Sequence, residues 1–363
     1  MQKGLWTKGL VIGIIILFFG ACLPSPITSS LRLSSEKDHD LKTVHKQHLN
    51  DIQNYSSIIA PSGLYHTYDE MTTLLHGLSA NNSDIMSLTS IGKTYEGRDI
   101  WMVKLSDHVS EDEDEPEVLF MGAHHGNEKP SYEVLIYFIE YIVDNYENKT
   151  LNVNEIINKT ELFVIPMVNP DGVEAGTRKN CAPNYGPFGL QEEVTSIGVD
   201  LNRNYGYRWF LFFLVPWRYY MTTSLADRSN AYRGESPFCE NETQAIKTFI
   251  ETHDITISLS YHTSGELVLY PWGYTTNPPK DKSVFVSIGE NISKLNNYTL
   301  AQSIGLYPTI GDDCDWGYGK HGIFSYTIEL GTVEATSNPQ KLLEMCTAHV
   351  NVNLYVCQRA QLF

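Results

Sequence analysis

The chain contains 363 residues, of which 42% are hydrophobic and 19% are charged, as in a typical globular protein. Its formal net charge of −17 argues against binding to nucleic acid, because phosphate contacts require clustered Lys and Arg side chains. An acidic surface favours solubility and attracts cationic peptides. A chain of this length buries a sizeable core, so its folding does not require a disulfide framework.

The N-terminus has the pattern of an export signal. Lys3 and Lys8 precede an apolar stretch, and no charged residue occurs between Lys8 and Arg32. A basic start, an apolar run and small residues before a cleavage point are typical of such signals. The run is shorter than the ~20 residues that span a bilayer comfortably, but an uncleaved anchor stays an alternative, as does lipidation of Cys22. We therefore expect a signal peptide or membrane anchor at 1–23 and an extracellular or cell-surface location.

Residues 24–62 are polar and lack sustained periodicity, which predicts a stalk or a short pro-segment ahead of a main domain at 63–363. Seven Asn-x-Ser/Thr sequons support export and glycosylation. They begin at Asn54, Asn81, Asn148, Asn158, Asn241, Asn291 and Asn297. One disulfide is plausible in an oxidising compartment, but Cys346 and Cys357 are unsuitable partners, because one helix would separate them by about 16 Å.

The spacing of apolar residues predicts strands that alternate with helices along the main domain. The predicted elements, in chain order, are a helix at 69–78, two strands around a Gly-containing turn within 87–106, a charged surface loop at 111–117, a buried strand at 118–123, a helix at 131–146, a buried strand closing in a turn at 161–172, a helix at 240–253, strands at 254–262, 268–274 and 323–332, and a final helix from about Pro339 to Gln358. This order indicates an α/β fold: a single domain with a mixed, mostly parallel twisted sheet flanked by helices on both faces.

The stretch WFLFFLVPWRYY at 209–220 is unusually apolar and too short to span a membrane. A loop packed on the domain is the simpler interpretation of this composition. Membrane contact beside an N-terminal anchor is the alternative.

The segment GAHHGNEKP at 122–130 lies where a buried strand ends and a helix begins, which is where open α/β sheets place ligands. His125 and Glu128 are three residues apart on that turn and can converge on one cation. Catalytic zinc commonly takes two His and one Glu and leaves the fourth position for water. We expect His124 to point to the other side of the turn. Alone, the pair is weak evidence, because a surface His–Glu contact also explains it.

Three further segments carry candidate residues. Arg178 and the pair Asn202 and Arg203 suit a substrate with a carboxylate, because arginine forms bidentate, charge-assisted hydrogen bonds to that group. His262 stands at a strand end, where it is either a third metal ligand or a satisfied core histidine. In the alternating strand YTIEL, Glu329 faces away from the apolar side chains and is either a solvated residue or a general base.

Taken together, the four segments resemble the zinc carboxypeptidases of the carboxypeptidase A and B type in order and spacing. The resemblance extends from about Tyr65 to the C-terminus, roughly four fifths of the chain. It implies a zinc metallocarboxypeptidase domain that hydrolyses the last peptide bond of peptides or proteins. It also implies one Zn²⁺ per chain, bound by His125, Glu128 and His262.

The resemblance implies roles for the residues around the metal. Asp200 matches the acid that orients the first zinc histidine, and Glu329 matches the catalytic glutamate that takes the proton of the zinc-bound water. Arg178 matches the arginine that polarises the scissile carbonyl and stabilises the developing oxyanion. Asn202 and Arg203 match the pair that holds the terminal carboxylate of the substrate.

Substrate preference is implied by three further positions. Tyr307 matches the mobile tyrosine that closes over the bound terminus. The family's specificity pocket is lined by the residue before an Asp-Trp pair, which is apolar in A-type and acidic in B-type enzymes. That residue is Cys314 here, which is neither. Asp312 matches a position where some microbial relatives carry an acid and accept both apolar and basic residues, so we expect mixed specificity.

Two other functions stay open from the sequence. One is a related zinc hydrolase that acts on cell-wall peptides or acylated amino acids, although Asn202, Arg203 and Tyr307 favour a free α-carboxylate. The other is an inactive binding homologue, which is the weaker alternative because no ligand residue or catalytic glutamate is lost. We expect a monomer that binds peptide or protein C-termini.

Overall fold

The computed structural model describes residues 60–148, 153–181, 198–214 and 216–363, all within one compact unit. The predicted signal or anchor at 1–23 and nearly all of the predicted stalk at 24–62 lie outside the described residues, so both assignments stay predictions. Within the described ranges, no helix combines the length and the apolar character that crossing a bilayer requires.

One sheet stands at the centre of the described fold. Its strands are β1 Met86–Lys93, β2 Asp99–Leu105, β3 Glu117–Met121, β4 Glu161–Ile165, β5 Ile255–Thr263, β6 Leu267–Tyr270, β7 Thr299–Gln302 and β8 Phe324–Leu330. Their order across the sheet is β1-β2-β4-β3-β5-β8-β6-β7. The β3–β4, β3–β5, β5–β8 and β6–β7 pairings are parallel, whereas β1–β2, β2–β4 and β6–β8 are antiparallel. The described sheet is therefore mixed and mostly parallel, as predicted.

Helices of very different length surround the sheet. In the described ranges they are α1 Tyr68–Asn81, α2 Pro130–Asn145, α3 Val153–Ile157, α4 Pro170–Ala175, α5 Asn241–Glu251, α6 Lys282–Asn296, α7 Asp313–Trp316 and α8 Pro339–Ala360. Local capping sets where several begin. Thr67 and Glu70 form a capping box at the start of α1, and the Asn338 side chain accepts the Lys341 N–H at the start of α8.

Alternating side chains of the strands build a separate core on each face of the sheet. Val118 and Phe120 of β3 pack in the larger core with α1, α2, α6 and α8. Leu119 and Met121 pack in the smaller core with α5. Helices therefore cover both faces, which confirms the predicted α/β architecture.

Several predicted boundaries were wrong. The segment 161–172, predicted as a buried strand closing in a turn, contains a strand that ends at Ile165 and the start of a short helix, α4, which Asn169 caps by accepting the Gly172 N–H. The strand predicted at 268–274 ends at Tyr270. Helix α6 and strand β7 are not among the predicted elements, although α6 buries Phe285, Ile288 and Ile292 at helical spacing.

The charged loop predicted at 111–117 is only partly a surface loop. Glu117 begins β3 and is 5% exposed, and Glu113 and Glu115 are half-buried. The remaining acidic residues of the run are exposed. Burial of a glutamate at a strand start depends on the strands beside it, which the local sequence does not show.

The apolar stretch at 209–220 forms two short 3-10 turns, Trp209–Leu214 and Trp217–Met221. Its inner side packs on the domain, in agreement with the interpretation as a packed loop. Trp209 and Phe212 are buried, and the guanidinium carbon of buried Arg233 lies 3.5 Å from the Trp209 ring centroid. Its outer side presents large exposed apolar side chains, namely Phe210, Phe213, Leu214, Tyr220 and Met221. Membrane contact by this outer side stays a prediction.

The cysteines in the described ranges are free, so none of them forms the disulfide that an oxidising compartment made plausible. They are Cys181, Cys239, Cys314, Cys346 and Cys357. Cys346 and Cys357 both lie on α8, in agreement with the expectation that they are unsuitable partners.

Candidate active site and metal centre

Three neighbouring strands bring the candidate residues to one edge of the sheet. β3, β5 and β8 are adjacent and parallel, so their carboxyl ends meet. His125 and Glu128 follow the end of β3, and His262 lies next to the last residue of β5. Glu329 of β8 is the direct partner of His262 in the strand register, so both side chains project from the same face of the sheet.

His125, Glu128 and His262 form a compact cluster in which no residue is more than 7% exposed. The Nδ1 atoms of the two histidines are 3.1 Å apart. Glu128 contributes both carboxylate oxygens: Oε1 lies 2.8 Å from His125 Nδ1, and Oε2 lies 2.9 Å from His262 Nδ1. Two nitrogens and one carboxylate therefore converge as a group that can hold a metal ion.

The hydrogen bonds around the cluster suit a cation. Asp200 Oδ1 lies 3.1 Å from His125 Nε2 and accepts its proton, which leaves the Nδ1 lone pair facing the cluster. His262 Nε2 lies 3.3 Å from Ser260 Oγ and 3.2 Å from Asn202 Nδ2. The lone pair on His125 Nδ1 and the Glu128 carboxylate, 2.8 Å away, repel each other unless a cation lies between them. This donor set is the one that catalytic zinc takes in peptidases.

Asp200 links the metal-binding cluster to Arg178. Its carboxylate is fully buried, and its Oδ2 accepts a bond from Arg178 Nε at 2.9 Å. Burial favours the neutral acid, but the positive charge of Arg178 and the hydrogen bond from His125 outweigh it and hold the pKa of Asp200 well below its usual range. Arg178 Nη1 also lies 3.5 Å from Glu128 Oε1. The guanidinium is thus held at the metal centre by two ionised acids.

A cavity lies beside the metal-binding cluster, with Glu329 in its wall. Its lining residues are His125, Asn202, Arg203, His262, Leu269, Ser303, Leu306, Tyr307, Thr309, Asp312, Thr327 and Glu329. Burial raises the pKa of the Glu329 carboxyl, although His262 acts in the opposite direction. Thr327 and its β6 partner Leu269 were missed as pocket residues. The alternation of YTIEL, which places Thr327 on the same face as Glu329, was the available signal.

Asn202, Arg203 and Tyr307 meet on the wall of this cavity. Asn202 and Arg203 form a short 3-10 turn, and the Asn202 Oδ1 accepts the Asp313 N–H at 3.0 Å. Arg203 donates from Nη1 to the Asn202 carbonyl at 2.6 Å and from Nε to the Thr222 carbonyl at 2.5 Å. The Tyr307 ring centroid lies 5.9 Å from the guanidinium carbon of Arg203. A guanidinium group and an aromatic ring therefore lie side by side in the cavity wall.

The two residues expected in the specificity pocket lie in different places. Asp312 lines the cavity, where its Oδ2 accepts the Thr309 hydroxyl at 2.7 Å and its Oδ1 caps α7 through the Asp315 N–H at 2.8 Å. Burial raises its pKa. Cys314 is absent from the lining residues, because its thiol points to β8 and donates to the Ser325 carbonyl at 3.2 Å.

His124 lies outside the metal-binding cluster, on the other side of the turn. Its Nε2 is 2.8 Å from the Tyr205 hydroxyl, and its Nδ1 is 3.3 Å from Ser260 Oγ. Burial lowers the pKa of His124 to about 4, so the ring is neutral near pH 7. Tyr205 and Ser260 were both missed from the sequence. Ser260 alternates with His262 on β5, which was a signal for the shared face.

The chain belongs to the zinc carboxypeptidase family, whose family model matches residues 71–350. A zinc carboxypeptidase of Saccharothrix mutabilis subsp. capreolus is 34% identical over 323 residues, covering 83% of this chain and 70% of that protein. Carboxypeptidase B of Astacus astacus is 27% identical over 284 residues, covering 73% of this chain and 86% of that protein. The protein is therefore a zinc metallocarboxypeptidase, an exopeptidase that uses one Zn²⁺.

Solved structures have the same fold. Thrombin-activatable fibrinolysis inhibitor has a TM-score of 0.72 at 20% sequence identity, covering 89% of this chain and 80% of that chain. Carboxypeptidase A from Helicoverpa armigera has a TM-score of 0.71 at 22% identity, with the same coverage of both chains. These similarities confirm the predicted fold class.

Proposed function

We propose that this protein removes the C-terminal residue from peptides or proteins and accepts both apolar and basic residues at that position. The observation that supports this most directly is the meeting of three groups at one cavity: the metal-binding cluster, Glu329, and the pair Asn202 and Arg203. The first two suit hydrolysis of an amide bond. The pair suits a free carboxylate close to that bond, and the last residue of a peptide offers one.

The substrate carboxylate is bound by Arg203, Asn202 and Tyr307. Carbonyl oxygens hold Arg203 by Nε and Nη1, so the guanidinium is oriented before the substrate arrives and loses little freedom on binding. Charge-assisted hydrogen bonds to the carboxylate then fix the end of the peptide. Tyr307, partly exposed beside Arg203, closes over the bound terminus.

When bound, zinc lowers the pKa of a coordinated water toward ~7 and polarises the scissile carbonyl. Glu329, next to His262, takes a proton from the attacking water and later gives it to the nitrogen of the leaving residue. The raised pKa of the buried Glu329 carboxyl favours holding that proton between the two steps. Arg178, anchored on Asp200, stabilises the negative charge that develops on the carbonyl oxygen. Water is consumed and a free amino acid leaves.

Replacement of Glu329 by glutamine tests the chemistry. Glu329→Gln keeps the size of the side chain but cannot take a proton, so we expect zinc to stay bound while kcat falls about 10²- to 10⁴-fold. Hydrolysis of a blocked dipeptide and zinc content are measured on the same sample. Glu334→Gln, an exposed glutamate on the following turn, is the matched control. Unchanged turnover in Glu329→Gln would refute the role.

Asp312 supports the basic component of the specificity. Its carboxylate lies in the cavity wall, where its negative charge would attract an Arg or Lys side chain, and Leu269 in the same wall suits an apolar one. Asp312→Asn retains an oxygen that can cap α7. We expect it to lower kcat/KM about tenfold or more for a substrate that ends in Arg, with little effect on one that ends in Phe. Negligible release of Arg by the native enzyme would remove this component.

The N-terminal pattern supports a further proposal, that the enzyme is exported and acts at the cell surface or outside the cell. The basic and apolar segment at 1–23 and the seven sequons favour it. Mass spectrometry of the N-terminal peptide from the native host tests it. Cleavage or lipidation within this segment supports export, and an intact N-terminus on a cytosolic protein contradicts it.

A further inference from the structure

A second group of acidic residues lies at the edge of the sheet opposite the zinc site. Glu117 is the first residue of β3, and Glu161 is the first residue of β4. The two residues are direct partners in the parallel register, so their side chains lie side by side on the same face. Asp112 reaches them from the preceding loop. Oxygens from the three carboxylates lie within 4.8 Å of one another.

The hydrogen bonds of the described residues leave this group unsatisfied. Glu161 is fully buried and Glu117 is 5% exposed, yet the Oε2 atom of each is buried without a hydrogen-bond partner. Lys104 pairs with Glu161 but also donates to the Glu111 carbonyl, and it supplies one positive charge against three carboxylates. Like charges on paired strand positions destabilise a sheet, and buried charges are normally paired or coordinate metals.

The surrounding loop adds further acidic groups that point inward. A buried oxygen of Glu115 also has no hydrogen-bond partner. His108 Nδ1 lies 3.0 Å from Glu113 Oε1 and 3.5 Å from Asp107 Oδ1, and the Glu113 N–H donates to Glu161 Oε1 at 3.4 Å. In the contacts of this group, acidic side chains therefore outnumber the basic ones, which are Lys104 and His108.

We propose that Asp112, Glu117 and Glu161 bind one calcium ion that ties the loop before β3 to the sheet. The donor set contains only oxygen, which hard cations select and which zinc, with its preference for nitrogen and sulfur, does not. Calcium ligands lie at about 2.4 Å from the ion, so carboxylate oxygens that lie within 4.8 Å of one another can all contact one calcium ion.

Calcium fits the group better than magnesium. Magnesium requires near-ideal octahedral geometry at about 2.0–2.1 Å, whereas calcium accepts six to eight ligands in flexible arrangements. Here two ligands are fixed at strand ends and one, Asp112, comes from an exposed loop residue. Water would complete the coordination of the ion. Bound calcium would neutralise the paired glutamates and hold the loop at 106–116 against β4.

Zinc-loaded enzyme in calcium-free buffer, with and without added calcium, provides the test. We expect calorimetric titration to show one calcium ion bound per chain. We also expect the melting temperature to rise by about 5 °C when free calcium exceeds its dissociation constant about 100-fold. Magnesium at the same concentration should give a smaller rise. Because zinc is present throughout, neither measurement depends on hydrolytic activity.

Glu117→Gln separates a calcium site from a merely structural acidic cluster. Without calcium, we expect this variant to melt above the native enzyme, because one of two adjacent buried carboxylates is gone. With calcium, we expect it to melt below the native enzyme, because a ligand has been lost. Asp114→Asn removes one exposed acid from the same loop and should keep the native calcium response.

Three results would overturn the proposal. One is the absence of calcium binding and of a calcium-dependent rise in melting temperature in the native enzyme. Another is a Glu117→Gln variant that binds calcium like the native enzyme. The third is stabilisation by magnesium equal to that by calcium, which would indicate general screening of charge. The proposal is supported if Glu117→Gln melts at a higher temperature than the native enzyme without calcium and at a lower temperature with calcium.

Discussion

Replacement of Asp200 by asparagine should weaken zinc binding through the wrong orientation of one proton. The native carboxylate accepts from His125 Nε2 with Oδ1 and from Arg178 Nε with Oδ2. Asparagine keeps one oxygen and replaces the other with an NH₂ group. If the NH₂ group faces His125, the imidazole proton moves to Nδ1 and blocks the metal. If it faces Arg178, two donors oppose each other.

The expected loss of zinc affinity follows from the strength of the hydrogen bond between Asp200 and His125. A hydrogen bond to a charged group contributes about 1.5–3 kcal/mol, and each 1.4 kcal/mol is a factor of ten in affinity. We therefore expect Asp200→Asn to weaken zinc binding about 10- to 100-fold, the range observed for lost partners of metal-bound histidines. Competition with a chromogenic chelator measures the zinc dissociation constant directly.

Asp171 provides a matched control, because it is another fully buried aspartate paired with an arginine. Its Oδ1 lies 2.7 Å from Arg98 Nη1, and it does not belong to the metal-binding cluster. Asp171→Asn should lower the melting temperature while zinc affinity changes by less than about threefold. If Asp200→Asn binds zinc as tightly as the native enzyme, or if both variants weaken it equally, the reasoning about the imidazole proton is wrong.

Two further changes probe burial and packing. Burial raises the pKa of Glu242 to about 8, whereas the pKa of a glutamate in an unfolded chain is near 4.3. Between these two pH values the unfolded state loses its proton first, so the free energy of unfolding falls by up to about 1.4 kcal/mol per pH unit as the pH rises. Glu242→Gln should therefore flatten the pH profile of stability, and thermal melts from pH 4 to pH 8 that stay parallel to the native ones would contradict this. A Cβ on Gly126 would lie 2.0 Å from the Gly172 carbonyl carbon, so Gly126→Ala should cost about 1–3 kcal/mol or more and weaken zinc retention. Gly77→Ala, in open space on α1, should be neutral or slightly stabilising, and equal melting temperatures in calorimetry would contradict the clash.

The metal centre was predictable because each of its motifs follows or ends a strand. His125 comes after β3, His262 lies one residue before the end of β5, and apolar runs mark both strands in the sequence. The adjacency of these strands was not predictable from periodicity, because strand order depends on tertiary pairing. The family resemblance supplied that information, and the register of β5 with β8 places Glu329 beside His262.

The specificity pocket and the acidic loop were less predictable for the same physical reason. Cys314 precedes the Asp-Trp pair as the resemblance requires, but its thiol turns to β8, which depends on the exact rotation of the short helix α7. The acidic run at 111–117 has the composition of a solvated turn. Its last residue is buried because Glu161, far along the chain, pairs with Glu117 in the sheet.

The pairing of His262 with Glu329 has a consequence for how this enzyme tolerates variation. Their separation is set by the hydrogen-bond ladder between two strands, about 4.8 Å apart, and not by the packing of side chains. Substitutions that repack α2, α6 or α8 can change stability without changing the distance from Glu329 to the metal-binding cluster. A slip of one residue between β5 and β8 would instead replace Glu329 by Ile328 or Leu330 at that position. Evolution can therefore alter the outer layers of this protein freely, as long as the two strands keep their alignment.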